Sequence, residues 1–173
     1  MSELREQIDE LRQRLEKLPY AREYPREGCT DEDIQALEAY AEHAFPQAYV
    51  EFLKVFGRRN GRFFSGMSAC LTDRYGLRMK ELANDILERK YGIHRIPEPS
   101  FVYLELQGYA FWYFPLGGSD NPPVYTIGEG ESEPWLVSPT FTESLAMYIE
   151  ELEDLLERHP AAFRPPWRPG SMI

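Results

Sequence analysis

Between Ile96 and Glu157 the chain has no lysine and no arginine. The same stretch holds twelve acids, among them Glu98, Glu105, Asp120, Glu129, Glu131, Glu133, Glu143 and Glu157. The whole sequence has 29 acids, 19 bases and a formal charge of −10. Since the remainder holds 17 acids and 19 bases, the imbalance belongs to this one segment. A field of one sign repels phosphate backbones and speeds encounter with basic partners. Direct nucleic-acid binding is therefore disfavoured. A basic protein partner is the functional reading, with solubility alone as the bland one.

Other features are scarce as well. Cys29 and Cys70 are the only cysteines, 41 positions apart, and make no disulfide framework. Met1-Ser2-Glu3-Leu4-Arg5 lacks the apolar core of a signal peptide. No run approaches the ~18 apolar residues of a membrane span. The expected compartment is the cytoplasm, with no membrane contact. His43, His94 and His159 are scattered, none at a metal-ligand spacing with a cysteine or another histidine. Gly66-Met67-Ser68-Ala69-Cys70 holds half of a nucleophile-elbow pattern without its second glycine, and Cys70 has no local activator. Gly117-Gly118 precedes Asp120-Asn121-Pro122-Pro123, which cannot open a helix as a phosphate loop must. Gly128-Glu129-Gly130 is followed by Glu131 and Glu133, which would repel a phosphate. No catalytic, metal-ligating or cofactor-binding residue is assigned. A carboxylate pair facing across a cleft stays open, because sequence cannot place one.

What is present is a full complement of helix and strand signals. At 173 residues one hydrophobic core suffices. Leu4, Ile8, Leu11, Leu15 and Leu18 form a narrow apolar seam on a helix over 2–18, started by Ser2 and ended by Pro19, with Glu10 and Arg14 paired one turn apart. The seam spans about two heptads, short of the roughly three to four of an independent coiled coil, so packing on its own domain is favoured. After a polar linker, Thr30 with Asp31, Glu32 and Asp33 starts a second helix whose apolar face is Ile34, Leu37, Tyr40 and Ala41. Pro46 opens a third, with Tyr49, Phe52, Leu53 and Phe56 as its stripe and Gly57 at its end. Asn60-Gly61 marks a turn, and Phe63-Phe64 is read as the start of a strand. A helix is expected over 77–90 through Leu77, Leu82, Ile86 and Leu87, closing at Gly92.

Residues 101–106 and 109–114 read as a hairpin joined by the two-residue turn Gln107-Gly108. That register sets Leu106 opposite Tyr109, Leu104 opposite Phe111 and Val102 opposite Tyr113, all on one apolar face. Phe101, Tyr103, Glu105, Ala110, Trp112 and Phe114 then share the other. Val124–Ile127 and Trp135–Val137 suggest two more strands flanking the acidic loop. Thr140 and Glu143 form a capping box for a helix with Phe141, Leu145, Tyr148, Ile149, Leu152 and Leu156 inward, reaching about Arg158. The order of helices, hairpin strands and helix defines an α+β fold. It divides into a helix and linker at 1–27, a domain at 28–158 and a proline-rich tail at 159–173.

The ordered set Ile34-x-x-Leu37-Glu38, Phe45-Pro46-x-x-Tyr49-x-x-Phe52-Leu53 and Asn60-Gly61 resembles the opening signature of the SUKH superfamily. This is the Smi/Knr-type domain of bacterial immunity proteins and of a fungal cell-wall regulator. The hairpin 101–114, Pro123-Val124-Tyr125 and Phe141-x-x-x-Leu145 match later pieces in order, so the resemblance covers about 28–158. Phe45 stands where the family has leucine, and Gly57 to Arg59 lengthen the junction before Asn60. The resemblance implies a single α+β domain with a mostly antiparallel, curved sheet, no catalysis and a protein partner. Many bacterial members neutralise a cognate toxin, often a nuclease or deaminase.

Resemblance and charge together point to a non-catalytic intracellular binding domain, an immunity protein facing a basic toxin domain as a monomer or weak dimer. The expected contacts are Glu105, Asp120, Glu129, Glu131, Glu133, Trp112 and Trp135, with Tyr103 and Tyr125 as aromatic anchors inside a charged rim. A helix over that sheet face would instead make Trp112 and Tyr103 core. Two alternatives remain at this level. One is a regulatory or scaffold domain unrelated to toxins that uses the N-terminal seam to dimerise or recruit. The other is a hydrolase using an unrecognised carboxylate pair.

Overall fold

The computed structural model describes residues 3–18, 21, 24–61, 63, 64, 67, 69, 78–92 and 95–159. Its elements run α1 (Glu3–Glu16), β1 (Arg26–Glu27), α2 (Asp31–Ala41), α3 (Gln47–Phe56), β2 (Arg59–Asn60), α4 (Met79–Ile86), β3 (Ser100–Leu106), β4 (Ala110–Pro115), β5 (Val124–Gly128), β6 (Trp135–Ser138) and α5 (Phe141–Arg158). A π-helical turn, Leu87–Tyr91, extends α4 and ends at Gly92 in the left-handed conformation. The strands form a two-stranded sheet, β1-β2, and a four-stranded antiparallel sheet in the order β3-β4-β5-β6. Helices before and after an antiparallel sheet make this a single α+β domain, as expected. Ser2, Pro19, Leu77, the Gly66–Cys70 motif as a unit, His94 and the tail from Pro160 lie outside the described residues.

Each helix starts for a local reason. Thr30 accepts a hydrogen bond from the Asp33 N–H at 3.2 Å, and Asp33 accepts from the Thr30 N–H at 2.9 Å. These reciprocal bonds satisfy two otherwise unpaired donors. Asp33 also pairs with Arg58 at 2.8 Å, tying α2 to the residue before β2. Pro46 precedes the first turn of α3 rather than lying within it, and makes no side-chain cap. The carbonyl of Asp120 accepts from the Ala48 N–H at 2.8 Å instead. Thr140 caps α5 by accepting from the Glu143 N–H at 3.3 Å. Its second support is Asn121, which accepts from the Thr142 N–H and donates to the Thr142 hydroxyl. The loop at 117–123, with phosphate-loop glycines but no helix of its own, therefore secures the starts of two others.

The seam of α1 is spent inside the domain. Ile8, Leu11 and Leu15 are buried in the main core with Phe52, Leu53 and Leu145. Arg14 pairs with Glu153 of α5 at 2.7 Å rather than with Glu10. Glu10 acts on it only through space, because the cross-helix carboxylate accepts both guanidinium donors.

The hairpin departs from the expected register. Gln107 (φ 47°) and Gly108 (φ 76°) are both left-handed, and Tyr109 joins the turn, making it three residues long. Leu106 therefore faces Ala110, Glu105 faces Phe111 and Leu104 faces Trp112. A bulge between Val102 and Leu104 restores Val102 to Tyr113 and Phe101 to Phe114. Tyr103 and Leu104 thereby both enter the main core, while Val102 keeps company with Phe111, Tyr113 and Ile127 on the opposite face. Along α4 and its π-helical turn the buried positions are Met79, Ala83 and Leu87, and they cover that opposite face. Leu82 and Ile86 are only half-buried, one position round the helix. Phe63 and Phe64 form no strand. They occupy a turn, their rings stack at 4.5 Å, and both are buried against α3.

Two outcomes test these contacts. Leu11→Ala should lower unfolding free energy by about 2–5 kcal/mol in a urea titration, the range for a buried leucine. A dispensable N-terminal appendage would leave the transition unmoved. For Asp33, the Thr30 backbone bond and Arg58 hold the carboxyl below the usual carboxylate range. Its stabilisation is present above the unfolded pKa and lost as pH falls through the folded one. Asp33→Asn should thus be destabilised relative to the parent at neutral pH, and the two melting curves should converge in acid.

Candidate functional site

The four-stranded sheet is covered unevenly. Its main-core face lies under α3 and α5, with α1 packed on both helices, while α4 and its π-helical turn cover β3, β4 and Ile127 of β5 on the other face. β6 is an edge strand of four residues, with a bulge opposite Val124/Tyr125. Tyr125 pairs with Leu136 and Thr126 with Trp135, so the first two side chains of β6 project on opposite faces. Trp135 and Leu136 are each 50% exposed. Exposed apolar side chains on both faces of an edge strand make β6 the candidate interaction edge.

Three acids lie in the loop that leads into that edge. Glu129 and Glu133 are exposed, and Glu131 is half-buried because its carboxylate accepts from the Trp135 indole N–H at 2.5 Å. Gly128 lets the loop leave β5, since a Cβ there would meet the Tyr109 carbonyl at 2.3 Å. Close approach allows the Glu129 N–H to donate to that same carbonyl at 2.8 Å. Lys90 lies 4.9 Å from the ring centroids of both Tyr91 and Tyr109. Its ammonium is held above the usual lysine range by Tyr91 and by the nearby Glu129 charge. The π-helical turn, the hairpin tip and the acidic loop thus meet at one corner.

The structure sorts the expected contact residues. Glu131 bonds Trp135, with Glu129 and Glu133 exposed in the same loop, whereas Tyr125 lies on the opposite sheet face with Leu136, half-buried and stacked on Tyr113 at 5.7 Å. Tyr103 does not join them. It is 0% exposed between Tyr49 and Phe141, and burial pushes its hydroxyl pKa up. Glu105 is 5% exposed, and its carboxylate accepts from the Gly108 N–H at 2.8 Å, closing the turn from below. Both are structural residues in this fold, because the longer turn and the bulge direct them inward. Trp112 is half-buried against the main core, and Asp120 is exposed at the far loop with its backbone engaged by α3. Leu136 and Tyr109, 50% and 49% exposed, were absent from the expected set. The signal for Leu136 was available, because a last short strand beside an acidic loop is an edge.

The acidic segment is also partly neutralised. Glu98 pairs with Lys80, Glu153 with Arg14 and Asp154 with Arg158. Glu129, Glu131 and Glu133 have no ion pair among the described residues, and neither do Glu143, Glu150, Glu151 and Glu157, so the residual negative field is shared by the β5–β6 loop and α5. Burial pushes the Cys29 thiol up to about 11, which makes it a packed side chain rather than a nucleophile. Among the described residues no group of three or more metal-ligating side chains comes together. None of their helices is long and apolar enough to cross a membrane.

An antiparallel four-stranded sheet with helical cover and an open edge strand defines an α+β domain. A family match described as SMI1-KNR4 cell-wall (SUKH_6) spans residues 31–145, more than half of the chain. The chain belongs to the SUKH family. Domains of this family are generally non-enzymatic and commonly serve as immunity proteins that bind protein partners such as toxins. No curated protein matches the sequence.

Exposure separates contact from core in a direct test. Trp135→Ala should leave unfolding free energy within about 0.5 kcal/mol of the parent, as for an open surface site. Tyr103→Ala should lower it by about 3–5 kcal/mol, the range for a buried aromatic. Chemical denaturation of the two variants reads both values.

Proposed function

We propose that this SUKH domain is an intracellular immunity protein that neutralises a cognate toxin by non-catalytic binding. The supporting observation is the β6 edge, where Trp135 and Leu136 lie open beside Glu129, Glu131 and Glu133. Toxins acting on nucleic acid carry basic substrate-binding surfaces, and an acidic protein can occupy such a surface. Charge would set the encounter rate, while a partner seated along the β6 edge would meet Trp135 on one face and Leu136 with Tyr125 on the other. The proposed contact set is thus Tyr125, Glu129, Glu131, Glu133, Trp135 and Leu136. The resting state would be a monomer, because two copies meeting through β6 would bring like charges together. The scaffold alternative loses its motive, since the N-terminal seam that was to dimerise is buried in the domain itself.

The test is co-expression with the polymorphic toxins encoded in the same genome, scored by rescue of growth and by co-purification. Rescue by one toxin is the expected result, and failure with all of them rejects the reading. With a partner in hand, Glu129→Lys, Glu131→Lys and Glu133→Lys combined should slow association about tenfold or more at low salt and flatten its salt dependence. Stopped-flow association at two ionic strengths measures this, and an unchanged rate clears the loop of involvement.

A further inference from the structure

A cleft of about 530 Å³ lies away from the β6 edge, between the last turn of α2, one side of α4 and the start of β3. Its lining includes Phe101, Val102, Leu116 and Pro99, three of them buried core residues. Tyr40, 47% exposed, stands on the α2 side. The ionisable lining consists of four carboxylates against two permanent bases and one histidine.

Pairing decides which charge the cleft can still accept. Lys80 is held by Glu98, and Arg95 by Glu88 at 2.6 Å, so both bases are already neutralised. Glu81 and Asp85 are matched by Arg78 at 3.2 Å and Arg89 at 2.9 Å. Glu42 alone among the four carboxylates has no ion pair with a described residue. It sits at the C-cap of α2 with φ 55°, a left-handed position that favours glycine. The last turn of α2 contains no base, so its carbonyl end and Glu42 present negative charge that no lysine or arginine among the described residues pairs. A cation arriving from outside would fill that need. An anion would meet the wrong end of the helix and two occupied bases.

We propose that this cleft receives an arginine side chain of the partner protein, with Glu42 holding the guanidinium and Tyr40 stacking on it. The inference rests on the partner-binding reading above and names a second anchor, remote from the acidic loop. Arginine fits better than lysine for two reasons. Its forked donors match a carboxylate and its plane stacks on an exposed phenol ring. Its aliphatic stem can lie along the apolar floor formed by Pro99 and Phe101.

The test uses the full isotope-labelled chain, titrated with N-acetyl-arginine methylamide and, separately, with the neutral citrulline counterpart. Backbone amide shifts should move at Tyr40 to His43 and at Ser100 to Val102 with arginine, and at least about tenfold more weakly with citrulline. Glu42→Gln should abolish the arginine response while the rest of the spectrum stays fixed. Glu42→Gly removes the carboxylate and relieves the left-handed backbone, so it should lose binding while keeping or raising thermal stability. Equal response to citrulline, shifts confined to 129–135, or no shifts at all would overturn the proposal. Once a toxin partner is found, unchanged affinity in Glu42→Gln also overturns it. If no toxin is found but the arginine response and its loss in Glu42→Gln hold, the cleft stands and only the toxin reading falls.

Discussion

The ring of Tyr49 is the contact on which the remaining arrangement depends. It lies within 5.0–6.4 Å, centroid to centroid, of Phe45, Phe52, Phe101, Tyr103, Phe114 and Phe141. These rings come from the α2–α3 connection, from α3 itself, from both hairpin strands and from the first residue of α5. Several meet edge to face, the geometry in which aromatic pairs add about 0.5–1.5 kcal/mol beyond their buried area. One helical position thus fixes α3, the β3–β4 pair and α5 relative to one another. Asp120 and Asn121 complete the arrangement from outside by satisfying the helix starts that this packing brings near one loop.

That dense packing on one face has a consequence for the other. The main core uses four of the five described helices, leaving α4 and its π-helical turn to cover the opposite face. One helix of eight residues with a single extra turn shields β3 and β4 but not β6. The exposed edge therefore follows from how the helices are allocated, not from an excess of surface hydrophobes.

Much of the architecture was legible because it rests on local chemistry. Thr30 and Thr140 announce helix starts through side chains that bond within three residues. The spacing of Tyr49, Phe52, Leu53 and Phe56 can only put them on one helical face, and all four are fully buried. The misreadings have a common source in non-local competition. Gln107 takes a left-handed backbone, the Glu105 carboxylate holds the Gly108 N–H beneath the turn, and the expected two-residue loop becomes three. The slip would expose apolar residues if it ran the length of the hairpin, and the bulge at Tyr103 reverses it. Phe63-Phe64 has strand composition but no neighbouring strand to pair with among the described residues, so burial under α3 prevails. Arg14 could reach Glu10 one turn away, yet Glu153 offers both oxygens. The sequence pattern located the acidic loop and Trp135, whereas the inward turn of Tyr103 and Glu105 required the register.

An open, apolar sheet edge is a hazard unless something restrains its pairing. Here β6 is only four residues long, it carries a bulge, and it adjoins three carboxylates without ion pairs among the described residues. Those devices act unequally on different partners. Shortness and the bulge weaken pairing with any strand, whereas the carboxylates penalise a second copy of this chain and favour a basic surface. The same charges that keep the edge soluble would then select what binds it. On the proposed reading, protection from self-association and recognition of a basic partner are one property of the β5–β6 loop, and neither can be removed by mutation without the other.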